Sequence, residues 1–352
     1  MVDFSYFEKK KVLITGHNGF KGSWLCKILK MAGADVYGYS LDVPTDPSAY
    51  RIAKIDRYVT SEKGDVSDYD HLSDYFNKVS PEIVIHMAAQ PIVKESYLHP
   101  LETYRSNVMG TVSIMECLRI TDCVKSFLNV TTDKVYLNND VDKYYTEDDP
   151  LDGFDPYSNS KSCSELVTHS YLRSFFQNSD CSISTARAGN VIGGGDYAKD
   201  RIIPDCIRAA ISHQDIVLRH PNSIRPYQHV LEALAAYLTI IVSQAENGNL
   251  AGSYNVGPRE EDCVTTGELA SKFCEKWGDG LKWVSPDYSG IHEATYLKLD
   301  STLIQKQLSF YSKWSIDQAV DKTVEWTKAW VNGEDVDGLM SKQISEYFEG
   351  TI

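Results

Sequence analysis

A doubly wound α/β fold with a parallel sheet is predicted for this 352-residue chain. Three observations predict it. Short apolar runs recur along the first 190 residues, separated by segments of helix length. The first run ends in a glycine-rich turn. The runs are continuous rather than alternating, which is the pattern of strands buried on both faces.

The runs are Lys11–Thr15, Asp35–Tyr39, Ile83–Met87, Ser126–Thr131 and Ser182–Ala186. Strands alternating with helix-length segments specify βαβ units, whose crossovers place helices on both sheet faces. After about residue 190 the texture changes. Gly193-Gly194-Gly195-Asp196 reads as a loop, and Pro204, Pro221 and Pro226 mark irregular segments. Ser253–Gly257 reads as a late strand. The expected organisation is a dinucleotide-binding domain over 1–190, to which about 225–258 returns. A smaller lobe, mainly 191–352, covers the carboxyl ends of the strands and binds substrate.

Composition limits the function classes. The net charge is −14, so a basic surface for nucleic acid or anionic lipid is not expected. Eight cysteines are scattered without a CxxC pair, which suits reduced thiols better than disulfides or zinc. The N-terminus is too polar for a signal peptide, and no apolar run approaches the roughly 20 residues of a membrane helix. A cytoplasmic protein is expected.

Gly16-His17-Asn18-Gly19-Phe20-Lys21-Gly22 follows the first strand and opens a helix. Glycines there permit a tight turn and close approach of a pyrophosphate, and the helix N-terminus supplies oriented N–H donors. The second strand ends near Asp42, where a carboxylate accepts from a ribose 2′-hydroxyl; with no Arg or Lys read beside it, NAD is favoured over NADP. Asp65 is either an adenine contact or a plain turn residue.

Tyr157 and Lys161 stand four residues apart, hence on one helix face with Cβ atoms about 5–6 Å apart. An ammonium there lowers the phenol's pKa, so that the tyrosinate accepts a hydroxyl proton as hydride leaves. Thr131-Thr132-Asp133-Lys134 ends a central strand, where a doubly wound fold builds its site.

Gly16–Gly22, His86-Met87-Ala88-Ala89, Tyr157 with Lys161, and Arg187-Ala188-Gly189-Asn190 together resemble the extended short-chain dehydrogenase/reductase superfamily, a Rossmann-type fold. Longer stretches resemble its CDP-glucose 4,6-dehydratase branch: Thr15–Leu25, Met87–Pro91, Asp155–Lys161, Ala188–Asp196 and Ile224–Val230. The match runs from about residue 10 to about 345. The resemblance implies hydride transfer from sugar C4 to NAD, loss of water across C5 and C6, and hydride return to C6.

By position it implies that Tyr157 is the base, Lys161 its partner, Thr132 a hydrogen-bond donor to the C4 oxygen and Asp133 the acid for the C6 hydroxyl. Gly16, Asn18, Gly19, Phe20, Gly22, Asp42, Asp65, Val66, Ala88, Ala89, Gln90 and Asn107, with Tyr157 and Lys161, are expected to meet the cofactor. Asn190, Arg201, Arg219, Arg225 and His229 are expected to meet the nucleotide sugar. Most hexose dehydratases carry Asp-Glu where this chain has Asp133-Lys134, so Lys134 either takes the C5 proton, or only stabilises the enolate while another group takes that proton. Other readings stay open: a GDP- or dTDP-linked substrate, a 4-epimerase, or a binding protein without turnover. A homodimer through the helices near Asn107 and Tyr157 is expected from the resemblance.

Overall fold

In the computed structural model, which describes residues 2–286 and 296–352, seven parallel strands form the central sheet. They are β1 (Lys11–Thr15), β2 (Asp35–Ser40), β3 (Thr60–Lys63), β4 (Ile83–His86), β5 (Ser126–Thr132), β6 (Ser182–Ala188) and β7 (Ser253–Val256). Their spatial order is β7-β6-β5-β4-β1-β2-β3. The order reverses between β1 and β4, which opens a crevice at the carboxyl ends of those strands.

Both sheet faces are covered, which is why the strands read as unbroken apolar runs. Val12 and Ile14 enter one core with Ile83, Ile85, Leu128 and Val130. Leu13, between them, enters the opposite core with Val84, Phe127 and Ile183. The first core takes helix α1 (Phe20–Met31) and the strongly apolar helix lying over β5 and β6, Val230–Glu246. The second takes α2 (Tyr69–Val79) and α3 (Gly110–Arg119). A helix carrying the Tyr157/Lys161 pair follows as α4 (Pro156–Phe175).

β3 is absent from the sequence reading. Its residues, Thr60-Ser61-Glu62-Lys63, are polar and largely exposed because the strand forms the sheet edge and pairs only with β2. The late strand is β7, which pairs with β6 in register Ser253↔Thr185 to Val256↔Ala188. The longer helices that follow are α5 (Ile202–Ile211), α6 (Val230–Glu246, named above), α7 (Thr266–Trp277), α8 (Ile316–Val331) and α9 (Val336–Tyr347). The C-terminal helices return to the first half of the chain: Lys27 of α1 is held by Asp337 of α9, which also accepts from Tyr58 at 2.8 Å.

Candidate active site

The glycine turn is shaped by the chain's own backbone. Gly16 takes φ +76°, and a Cβ there would lie 2.8 Å from Ala88 N. A Cβ on Gly22 would lie 2.4 Å from Gly16 O. Gly19 differs: its Cβ would meet nothing closer than Gly16 O at 3.5 Å. It is the N-cap of α1, and no side chain among the described residues caps that helix. The turn thus leaves room over an uncapped helix N-terminus, a cradle that fits a pyrophosphate.

His17 anchors this turn, a role the sequence did not disclose. Its ring packs on Gly38 and bonds Ser40 Oγ at 2.8 Å and Ser61 Oγ at 2.7 Å, tying the turn to β2 and β3. Burial lowers its pKa to about 4, so it is a neutral strut. Asn18 donates to Leu41 O at 2.6 Å, and Phe20 lies against Gly193. Asp42 is exposed and ion-paired with Lys63 at 2.6 Å. This corrects the reading that no lysine lies at the end of the second strand: Lys63 comes from the edge strand, which periodicity missed.

Asp65 Oδ1 accepts from Ser67 N and Ser67 Oγ at 2.8 and 2.9 Å, the arrangement of a turn-forming aspartate. Val66 is buried against Gly110. Ala88 N donates to Thr15 Oγ1 at 3.2 Å, which holds the Met87–Ala89 segment beside Gly16. Gln90 and Asn107 bind each other: Gln90 N donates to Asn107 Oδ1 at 2.8 Å, and Asn107 Nδ2 reaches Gln90 O at 3.1 Å and Ser160 Oγ at 2.9 Å. Asn107 sits in a π-helical turn, Arg105–Met109, so its amide clamps the β4 loop to α4.

At α4 the sequence sets the frame. Asp155 caps the helix by accepting from Ser158 N at 3.0 Å, and Pro156 occupies its first position. That fixes Tyr157 and Lys161 on the face toward β5. Lys161 Nζ donates to Val130 O at 3.1 Å. Burial lowers its pKa to about 8, against an opposing pull from Glu165. Burial also pushes Tyr157 up to about 12, although a hydrogen bond with Thr132 and the charge of Arg201 pull it down. Burial therefore outweighs the Thr132 hydrogen bond and the charge of Arg201, and the phenol is raised here rather than lowered.

Thr132 Oγ1 donates to Asp133 Oδ1 at 3.0 Å. Asp133 is 1% exposed, and its Oδ2 has no hydrogen-bond partner among the described residues. Burial raises its pKa, with Lys134, Thr132 and Arg225 acting the other way. A carboxyl with these surroundings retains its proton more readily than a solvated one, as a general acid requires. Lys134 N donates to Thr132 Oγ1 at 3.4 Å, so the lysine backbone closes the same turn.

Two elements escaped the sequence reading. Lys21, in the glycine turn, donates to Tyr237 OH at 3.4 Å, and its charge is felt with those of Lys161, Arg201 and Asp133. Beneath the site, Glu165 accepts from Thr131, from Thr185 at 2.8 Å and from Arg187 at 3.0 Å. Arg187 also reaches Tyr136 OH at 3.0 Å. The i, i+4 spacing of Lys161 and Glu165 was the available signal.

The candidate substrate residues divide. Arg225 is buried and acts on Asp133. Arg201 pairs with Asp196 at 3.2 Å and acts on Tyr157. Asn190 accepts from Gln228 N at 3.0 Å through its backbone carbonyl. Arg219 pairs with Asp200 at 3.1 Å. His229 lies in the core between Trp24 and Trp314, with Nδ1 accepting from Leu231 N at 3.3 Å. Burial lowers its pKa to about 3, so it is a neutral helix cap packed among aromatics, not a cation on a binding surface.

A family model described as "NAD dependent epimerase/dehydratase family" matches residues 12–257. The chain belongs to that family. Among its relatives, the CDP-glucose 4,6-dehydratase of Salmonella typhimurium is 42% identical, with 100% of this chain and 99% of the relative covered. A probable dTDP-glucose 4,6-dehydratase of Sinorhizobium fredii is 27% identical, with 90% and 92% covered. The UDP-glucose 4-epimerase of Thermotoga maritima has the same fold, with a TM-score of 0.80 at 20% identity over 91% and 99% of the two chains. The dTDP-glucose 4,6-dehydratase of Bacillus anthracis, solved with NAD, gives 0.73 at 19% identity over 94% and 99%. NAD is thus the family's cofactor, and the turn from Gly16 to Gly22, with its open helix N-terminus, fits a dinucleotide.

Proposed function

We propose that this enzyme converts CDP-D-glucose to CDP-4-keto-6-deoxy-D-glucose and water. The observation that carries the reading is the buried carboxyl of Asp133, held by Thr132 and raised in pKa, beside the buried Tyr157. A 4-epimerase has no leaving hydroxyl to protonate and no need of such an acid. Full-length identity of 42% to a CDP-glucose 4,6-dehydratase supports the choice of nucleotide.

Bound NAD supplies the acceptor, and later the donor, of the hydride. Tyr157 takes the C4 hydroxyl proton; Lys161, one helical turn on, offsets the charge of the tyrosinate. Thr132 donates to the C4 oxygen. The 4-ketone so formed acidifies the C5 proton, and Asp133 protonates the C6 hydroxyl as it leaves as water. Lys134 either takes the C5 proton, or stabilises the enolate while another group takes that proton; return of the hydride to C6 and of a proton to C5 completes the 4-keto-6-deoxy sugar. Arg225 and Arg201 bind the sugar-nucleotide pyrophosphate, with Arg219 and Asn190 at its margins.

The dinucleotide portion comprises 1–190 with 225–258, and the substrate portion is mainly 191–352. The enzyme acts in the cytoplasm, consistent with described residues in which no helix is long and apolar enough to cross a membrane. It pairs as a homodimer through the helices around Asn107 and Tyr157, where Leu101, Met109 and Leu166 are exposed. Met115 and Leu118 on α3 are core residues and take no part.

The test is incubation with CDP-, dTDP-, GDP- and UDP-glucose, following loss of one water by mass spectrometry. Water lost from CDP-glucose in clear preference to the others is the expected result. Inversion at C4 without water loss refutes the dehydratase.

A further inference from the structure

Thr15 and His86 end β1 and β4, and Asn129 lies beside them on β5, paired in register as Thr15↔His86 and His86↔Asn129. The three continue the sheet face that carries Leu13, Val84 and Phe127 into the second core, and all are buried. Their hydrogen bonds fix where the protons lie. Thr15 Oγ1 accepts from Met87 N and Ala88 N, each at 3.2 Å, so its own proton goes to His86 Nδ1 at 2.7 Å. His86 is therefore the tautomer protonated at Nε2. Burial, followed by the charge of Lys161, lowers its pKa to about 3, so the ring is neutral. The amide of Asn129 is fixed in the same way. Thr168 Oγ1 donates to Ser164 O at 2.9 Å, and Thr111 Oγ1 donates to Asn107 O at 2.7 Å. That leaves the Ser164 proton for Thr111 Oγ1, at 2.8 Å. Both α4 hydroxyls therefore accept from Asn129 Nδ2, Ser164 at 3.0 Å and Thr168 at 2.9 Å. Two opposite groups remain at facing positions: the Nε2–H of His86 and Oδ1 of Asn129. Neither has a partner among the described residues. One water molecule, which both accepts and donates, satisfies the two together.

We propose that His86 and Asn129 hold an internal water between β4 and β5, and that this bridge makes them positioning residues for Lys161 and Tyr157. The proposal rests on the hydride-transfer reading above. The bridge completes one polar chain across the sheet. It starts at Thr15, next to Gly16 of the dinucleotide turn, and runs through His86, the water and Asn129 to Ser164 and Thr168. Those hydroxyls stand three and seven positions beyond Lys161, on the same face of α4. Lys161 itself bonds the carbonyl of Val130, the residue after Asn129. The chain thus sets the roll of α4 against β5, and with it the distance from the catalytic pair to the bound dinucleotide. A misplacement of about 1 Å at such a pair costs roughly a hundredfold in rate, and a fraction of that shift about tenfold.

A high-resolution crystal structure of the full chain, with the nitrogen resonances of isotope-labelled histidine, tests the bridge without any substrate. The expected result is a water within hydrogen-bond distance of His86 Nε2 and Asn129 Oδ1, and a neutral His86 protonated at Nε2. A direct bond between the two side chains, or a proton on Nδ1, overturns the proposal. Single-turnover reduction of bound NAD by CDP-glucose, followed by absorbance, tests the positioning. His86→Leu is expected to slow hydride transfer about tenfold, with the half-saturating CDP-glucose concentration changed by no more than about twofold. His86→Gln, which offers an oxygen to Thr15 and an N–H to the water, is expected to restore most of the rate. The double variant His86→Leu with Asn129→Leu is expected to be no slower than Asn129→Leu alone, because both side chains act through one water. Equal losses in His86→Gln and His86→Leu, or full additivity of the two leucine substitutions, overturn the positioning role. If the leucine variants fail to fold, the water and tautomer of the wild type still decide the proposal. Absence of hydride transfer from every nucleotide sugar to the wild type overturns the hydride-transfer reading; a directly bonded His86–Asn129 pair in an active enzyme overturns this proposal alone.

Discussion

Replacing Gly19 and Gly22 separately by alanine distinguishes the turn's structural role from its binding role. At Gly22 the new Cβ would lie 2.4 Å from Gly16 O and 2.6 Å from His17 C, both backbone atoms that cannot rotate away. Overpacking of this kind costs about 1–3 kcal/mol. The better helix propensity of alanine returns about 1 kcal/mol, which leaves a net loss in most of that range. At Gly19 the Cβ would have 3.5 Å of room, so the fold loses only up to about 1 kcal/mol, from a poorer N-cap. The methyl group does, however, project over the helix N-terminus where the pyrophosphate must sit. Loss of one hydrogen bond to a charged group is worth about 1.5–3 kcal/mol, or roughly 10- to 150-fold in affinity. Thermal melting without cofactor and calorimetry with NAD measure the two effects. Gly22→Ala should lower both the melting temperature and the affinity; Gly19→Ala should lower the affinity with no more than a small loss of melting temperature. A Gly19→Ala protein that binds NAD within twofold of wild type would refute this placement of the pyrophosphate.

Other substitutions probe the chemistry and its supports. Asp133→Asn keeps the shape but removes the acid: water loss from CDP-glucose should fall roughly 10²- to 10⁴-fold while absorbance still reports cofactor reduction. Loss of both signals together would assign Asp133 to C4 oxidation instead. Because Asp133 must be protonated to act, the dehydration rate should fall as pH rises through its raised pKa, and this limb should vanish in Asp133→Asn. Lys161 is lowered from 10.5 to about 8, so the folded state holds fewer protons than the unfolded chain between those values. Stability attributable to this group is therefore lowest below about pH 8 and recovers toward 10.5. Lys161→Met should accordingly be inactive yet more stable at pH 7, by at most about 3 kcal/mol, with the gain shrinking above pH 8 in denaturant titrations. Glu165→Gln leaves the buried Arg187 without its counter-charge and should cost about 3–5 kcal/mol in the same assay.

The sequence disclosed elements whose signal is local. β1, β2, β4, β5 and β6 were legible because strands buried on both faces carry apolar residues toward both cores, as Val12, Leu13 and Ile14 do. β3 was not, because its residues at the exposed sheet edge are polar. Tyr157 and Lys161 were legible because one helix face places i and i+4 side by side. The state of the phenol was not, since burial and the charge of Arg201, 44 positions away, act only once the chain has folded.

The sequence by itself determined the doubly wound sheet, the glycine turn after its first strand, the Thr132-Asp133-Lys134 strand end and the Tyr157/Lys161 pair. Each depends on spacing within one or two turns of chain, or on a strand's own apolarity. Tertiary structure alone decided that His229 is a neutral core residue between Trp24 and Trp314, that Lys63 meets Asp42, and that Glu165 anchors Arg187 beneath the site. It alone brought Lys21 to Tyr237, 216 residues away. These contacts join residues distant in the chain, and the energies that matter there, desolvation and Coulomb interaction, depend on separation and burial in space, which no local pattern encodes.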